Sequence, residues 1–170
     1  CRMLCSGVGK HLQMLNLNGN QLGDDGFRVL CEAAGHGGLA AVTNLSVKGN
    51  RIGDEGIRVM ARAVIDGGLA RVILLTMSDN LIGDRGLSDL SLCLAGGGFP
   101  NLSSLNMSGN EFGTEGTMAL VQAASSAKGG AFHTLRSLAL RSRDEIRRRP
   151  ERSLEKAQCS LFLKVLLTPP

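Results

Sequence analysis

Apolar residues recur along the chain in one figure. A triplet spaced three and then two residues apart reads Leu12/Leu15/Leu17, Val42/Leu45/Val47, Val72/Leu75/Met77 and Leu102/Leu105/Met107, each copy thirty residues after the last. A fifth copy, Leu135/Leu138/Leu140, follows after thirty-three. Within each triplet the last two members flank a residue of the opposite face, as in Leu15-Asn16-Leu17 or Leu105-Asn106-Met107. That period-two alternation predicts a short strand with one side buried. Further on the apolar period lengthens to three and four: Phe27, Leu30, Ala33 and Ala34; Ile57, Met60, Ala61 and Val64; Leu87, Leu90 and Leu94. Those stretches predict amphipathic helices. Asp24, Asp54 and Asp84 stand where each helix begins, as N-caps or first-turn acids. Glycines at 35, 37 and 38, at 67 and 68, and at 96 to 98 mark the helix ends.

Between strand and helix the polar pattern is as regular as the apolar one. Asn20, Asn50, Asn80 and Asn110 each carry a glycine three residues later (Gly23, Gly53, Gly83, Gly113) and another six residues later (Gly26, Gly56, Gly86, Gly116). With 23 glycines in 170 residues, eight such coincidences have a chance probability of about one in ten million. One strand and one helix cannot bury a core alone, so the copies must stack. Strands stack about 4.8 Å apart and helices about 8–10 Å apart, so the stack curves with its sheet inside. The expected fold class is therefore α/β: a parallel sheet on the concave side and helices on the convex side. Residues 1–11 read as the end of a preceding repeat or an N-terminal edge, 12–142 as five repeats starting at 12, 42, 72, 102 and 135, and 143–170 as a basic tail.

The L-x-x-L-x-L-x-x-N figure resembles the leucine-rich repeat family. The long period and the following N-x-[LIF]-G-[DT]-x-G resemble its ribonuclease-inhibitor-like class, over about residues 9–142. The resemblance implies a segment of a curved horseshoe that acts as a non-enzymatic protein–protein interaction module or scaffold. Ran GTPase-activating proteins, NOD-like receptors and actin-binding tropomodulin relatives use similar repeats. A GTPase-regulatory protein, or a fragment of a larger receptor or actin regulator, is accordingly the alternative. The departures are Arg143 in place of a fifth Asn, and a basic tail where Ran GTPase-activating proteins carry acidic residues.

Two sets of residues follow from the repeat register. Asn20, Asn50, Asn80 and Asn110 are expected to form a structural ladder, since an Asn side chain both donates and accepts and can satisfy the backbone of the bend. Strand residues pointing away from the core form the candidate protein-binding face. They are Asn16, Asn18, Asn44, Ser46, Lys48, Thr76, Ser78, Ser104, Asn106 and Ser108, with Met14, Leu74, Ser137, Ala139 and Arg141 completing the columns. The face is small and polar, carries two charges and has no aromatic residue. Four of the five Phe residues (27, 99, 112, 132) fall at core positions instead.

Charge and composition narrow the function classes. Residues 1–140 carry eleven Lys/Arg and eleven Asp/Glu, so the net charge of +4 belongs to the last thirty residues. A neutral body lacks the basic stripe of a nucleic-acid groove. No apolar run reaches the roughly 18 residues that span a bilayer, and Cys1–Leu15 has no apolar signal-peptide core. Ser6-Gly7-Val8-Gly9-Lys10-His11 imitates a phosphate loop, but its glycine spacing and its His fail the motif. The three histidines (11, 36, 133) occupy repeat boundaries without a nucleophile or acid in register. No catalytic, cofactor or metal site is expected, and the turn acids read as caps rather than calcium ligands. Five cysteines in irregular spacing point to reduced thiols and the cytoplasm, with the nucleus as an alternative through the cluster Arg141, Arg143, Arg147, Arg148, Arg149 and Arg152. In the tail, Leu154, Ala157, Leu161, Val165 and Leu166 share one face of a possible capping helix.

Overall fold

The computed structural model of the chain describes residues 11–127 and 131–144. Strands and helices alternate: β1 (Met14–Asn16), α1 (Gly23–Gly35), β2 (Asn44–Ser46), α2 (Asp54–Ile65), β3 (Leu74–Thr76), α3 (Asp84–Ala95), β4 (Ser104–Asn106), α4 (Thr114–Ser126), a 3-10 turn at Ala131–His133 and β5 (Ser137–Ala139). The five strands form one parallel sheet in sequence order. Its register pairs Leu15 with Leu45, Leu45 with Leu75, Leu75 with Leu105 and Leu105 with Leu138. Each of α1 to α3 packs on the next helix, so sheet and helices form two layers.

The core lies between those layers. Leu45, Leu75 and Leu105 face Ile57, Met60, Leu87 and Leu90 in a continuous buried cluster, and Phe27, Phe99, Phe112 and Phe132 are all within it. The helices end as their glycines predict. In α2 the chain turns at Gly67, φ +90°, where the left-handed backbone favours glycine. The Gly67 N–H then donates to the Val64 carbonyl and the Gly68 N–H to that of Ala63, a Schellman closure of the last turn.

The bends are held by the repeat that follows them. Asn80 Oδ1 accepts the N–H groups of Asn50 (2.9 Å) and Ile52 (3.1 Å), both in the preceding repeat. Its Nδ2 is shared among the carbonyls of Val47, Met77 and Ser78. Asn50 does the same one repeat earlier, accepting from Asn20 and Leu22 and donating to the carbonyls of Leu17 and Lys48. Asn110 accepts from Ile82 and donates to the carbonyls of Met77 and Met107. All three side chains are fully buried. Asn20 is exposed, and its amide donates within its own turn to the Asn18 carbonyl. At the other end Arg143 takes the ladder position. A guanidinium has no acceptor, so it donates instead to the Asn80 carbonyl (2.9 Å) and to Glu111 (2.9 Å).

Of the two roles expected for the helix-start acids, first-turn acid holds and N-cap of the same helix does not, and their carboxylates also act across repeats. Asp54 and Asp84 do sit in the first turn of α2 and α3, but the N-cap positions before them are Gly53 and Gly83, which have no side chain. The cap comes from the preceding repeat. Asp24 Oδ1 accepts the N–H groups of Gly53 (2.7 Å) and Gly56 (3.0 Å), Asp54 Oδ1 that of Gly83 (2.7 Å), and Asp84 Oδ1 those of Gly113 and Gly116 (both 2.7 Å). A carboxylate there also meets the positive end of the next helix. Gly56, Gly86 and Gly116, the second glycines of the last three pairs, follow from this approach. A Cβ on Gly86 would lie 2.5 Å from Asp54 Oδ1 and 3.1 Å from the Asp54 Cα, so no side chain fits. In α1, with no such acid before it among the described residues, Leu22 is already helical and the Gly23 N–H donates to the Asn50 carbonyl.

Cys31 and Cys93 are unpaired thiols buried on the inner faces of α1 and α3. Burial pushes the Cys31 thiol up to about 12 and that of Cys93 to about 11. Cys1, Cys5 and Cys159, and the glycine-rich run 6–10, lie outside the described residues.

Two measurements test this packing. In denaturant melts Asn80→Ala should lower stability by about 1–3 kcal/mol, the cost of leaving buried backbone groups unpaired, while Asn20→Ala costs well under 1 kcal/mol. Equal losses would contradict the ladder. The thiols give a pH dependence with a definite sign. Their folded pKa values lie above the ordinary thiol value, so the stability they contribute is complete below about pH 9 and is lost as pH rises toward 11–12. Between pH 8 and 10.5 the wild-type unfolding free energy should fall by about 1–2 kcal/mol more than that of Cys31→Ala; parallel profiles would contradict the burial effect.

Candidate protein-binding face

Sheet register brings the outward strand residues into columns. Met14, Asn44, Leu74, Ser104 and Ser137 form the first, and Asn16, Ser46, Thr76, Asn106 and Ala139 the second. A third, Asn18, Lys48, Ser78, Ser108 and Arg141, is held by the backbone bonds that continue past the strands, such as Gly19 N–H to the Lys48 carbonyl and Asp79 N–H to that of Ser108. Five repeats thus share one uninterrupted surface.

Its polar groups are partly engaged with one another. Asn18 Oδ1 accepts from the Ser46 hydroxyl (2.7 Å) and from the Lys48 N–H (2.8 Å). Asn16 Oδ1 accepts from the Asn18 N–H, and Asn106 Oδ1 from the Ser108 N–H, each at 3.0 Å. These bonds fix side-chain directions and leave the amide N–H donors of Asn16, Asn18 and Asn106 toward solvent or a partner. Asn44, Ser46, Thr76, Ser104, Asn106 and Ser108 are half-buried, and Asn16, Asn18 and Lys48 are exposed. Ser78 is buried, which removes its hydroxyl from the accessible surface.

Two features of this face escape a residue-by-residue reading of the chain. Lys48 is not a lone charge: its Nζ lies 3.2 Å from Asp79 Oδ2 in the next repeat. Asp79 replaces the glycine found before the ladder Asn in the other repeats and keeps the left-handed backbone, φ +56°. Alignment of the repeats exposes that exception. The second feature is apolar. Met14 is 69% exposed and Leu74 is 41% exposed, with Ile73 next to Leu74 similarly open, so the outer column offers hydrophobic contact beside the polar centre.

The convex side is different in kind. A groove of about 1040 Å³ runs across α1 to α3, walled by Arg28, Glu32, Arg58 and Asp66 around Ile65 and Leu92. Its charges are largely paired within helices, Arg28 with Asp25 and Glu32, and Arg58 with Glu55. Among the described residues no three His, Cys, Asp or Glu side chains converge as a metal site. None of the described helices is long and apolar enough to cross a membrane.

Comparison with known proteins agrees on architecture. A family model described as "Leucine Rich repeat" matches residues 10–31, 42–61 and 100–121. No curated protein sequence matches the chain. Among solved structures the fold is similar to "Leiomodin-1 Actin-Binding Site 2 (ABS2)", with a TM-score of 0.67 at 14% identity, covering 98% of this chain and 84% of that one. At such identity the likeness speaks for the fold. Leucine-rich repeats occur in three places along the chain, and its alternating strands and helices build a leucine-rich-repeat solenoid around one parallel sheet.

Proposed function

We propose that this chain is a non-enzymatic protein-recognition module of the ribonuclease-inhibitor-like class, working as a scaffold. The observation that carries this reading is the continuous concave sheet surface, on which five repeats align amide and hydroxyl side chains in register. Asn16, Asn18, Asn44, Ser46, Lys48, Thr76, Ser104, Asn106 and Ser108 form its contact set. Fixed amides and hydroxyls suit the polar main chain and side chains of a folded partner. Met14 and Leu74 supply apolar contact at one margin. The Lys48–Asp79 pair leaves the centre without strong net charge, so a protein partner fits it better than nucleic acid. Fifteen column positions are fewer than the 20–30 residues per side of a standard interface, so the loop rims or additional repeats contribute the remaining area. A reducing compartment, the cytoplasm, accords with the unpaired Cys31 and Cys93.

One second reading has a specific observation behind it. The fold likeness to an actin-binding region makes an actin regulator the first partner class to assay, ahead of a small GTPase.

The chain should capture a specific protein from native extract. Ser46→Glu with Asn106→Glu, which adds two negative charges to the face, should reduce that capture at least tenfold while the melt stays within a few degrees of wild type. Co-sedimentation with filaments and a monomer-binding assay then ask whether actin is that partner. Capture unaffected by the two substitutions would remove the concave face from the mechanism.

A further inference from the structure

The outer surface of the helix layer carries two large apolar side chains that the repeat does not require. Ile65, at the end of α2, is 72% exposed and Leu92, on α3, is 65% exposed, and both line the groove across α1 to α3. The other repeats put Gly35, Ala95 and Ser125 at the position of Ile65, and Glu32, Arg62 and Gln122 at that of Leu92. Neither residue belongs to the core, so folding has no use for them. Sharing one groove, they form an apolar patch of the kind that marks an interaction surface. Two charges beside them also lack partners. Among the described residues neither Arg62 nor Asp66 has an ion pair, whereas Arg28 and Arg58 do. Asp66 caps the C-terminal end of α2, where the helix dipole favours a cation over an anion.

We propose that a second copy of this chain docks on this face, helix layer against helix layer, with each helix antiparallel to its counterpart. A two-fold axis that sets Arg62 opposite Asp66 of the other copy passes level with Val64. Along the helix axis it brings Ile65 within about 3 Å of its own equivalent. Because α2 and α3 recur thirty residues apart, as does the end of α1, the same axis is level with Ala34 and Leu94. Glu32 then faces His36 of the other copy, and Leu92 faces Gly96, which leaves room for it. All three helices are thus complementary to themselves: acid to imidazole, cation to anion, leucine to glycine. The charge balance of the groove points the same way. Arg28, Arg58 and Arg62 are matched by Glu32, Asp66 and Asp89, so a strongly acidic or basic partner gains nothing from it. Three helices about 18 Å long and about 9 Å apart offer about 500 Å² per copy, near the lower limit for a specific interface, so the dimer is a weak one. Arg147, Arg148, Arg149, Arg152 and the possible capping helix of the tail lie outside the described residues, and the pairing uses none of them. It leaves the two sheet faces pointing away from each other. Given the recognition role proposed above, on which the pairing itself does not depend, the dimer is a bivalent binder.

Analytical ultracentrifugation of the full chain tests this. Wild type should pass from monomer to dimer as its concentration rises to about 0.5 mM, the range of a weak complex. Ile65→Ser, which copies the residue at Ser125, should weaken the dimer at least tenfold with an unchanged melt. Arg62→Glu and Asp66→Arg should each do the same, since each brings like charges together twice. Mixed one to one, those two variants should pair with each other at least as tightly as wild type, because every contact again joins opposite signs. A chain that stays monomeric over that range would overturn the proposal. So would a dimer that the three substitutions leave unchanged, which places the contact elsewhere. Failure of the two charge variants to pair, when each melts like wild type, would overturn it as well.

Discussion

A tight bend between a strand and a helix leaves backbone donors that its own repeat cannot satisfy, and the rest of this structure depends on how that deficit is met. Asn50 and Asn80 each place the side-chain carbonyl oxygen against two N–H groups of the repeat before and the amide against one of that repeat's carbonyls, and Asn110 does the same with one N–H. Each helix-start Asp supplies the opposite service, capping the helix of the repeat after it. The two bonds run in opposite directions along the stack, so an inner repeat is both capped from behind and braced from ahead. Buried unpaired backbone groups are costly, so no repeat is complete without its neighbours, and stability becomes a property of the contacts between repeats.

Much of this was legible in the chain. The triplets located the strands because an inward residue at every second position has one physical meaning in a half-buried sheet. The glycines located the helix ends because the left-handed turn at Gly67 admits few other residues. Asp54 was legible as a first-turn acid, but its bond to the next repeat was not. Next to the first residues of α2 it looks like that helix's own cap, yet the bonds it makes lie twenty-nine residues away at Gly83. A cap that crosses repeats has the same local spelling as one that does not. The hint was Gly86, a residue with no reason in its own helix and a plain one once the Asp54 carboxylate is placed beside it.

The candidate face was legible as a set of positions but not as a surface. Period-two alternation identifies Ser78 as outward, and only the packed bend shows that it is buried. Lys48 reads as a free cation until the next repeat brings Asp79 to it. These corrections have one origin: along a solenoid, the environment of a side chain is set by residues thirty positions away. They also shape the functional reading, since they pair the central cation Lys48 with Asp79 and leave a hydrogen-bonding surface with an apolar margin.

The account rests on bonding between successive repeats, and residue-resolved hydrogen exchange in Asn80→Ala addresses it most directly. The carbonyl oxygen lost in that variant serves the N–H groups of Asn50 and Ile52, in the repeat before the substitution. Those two amides should lose more protection than any amide of α4, which lies beyond α3 and β4. Protection lost only within residues 77–83, with Asn50 and Ile52 unchanged, would contradict a fold in which each repeat is completed by the next.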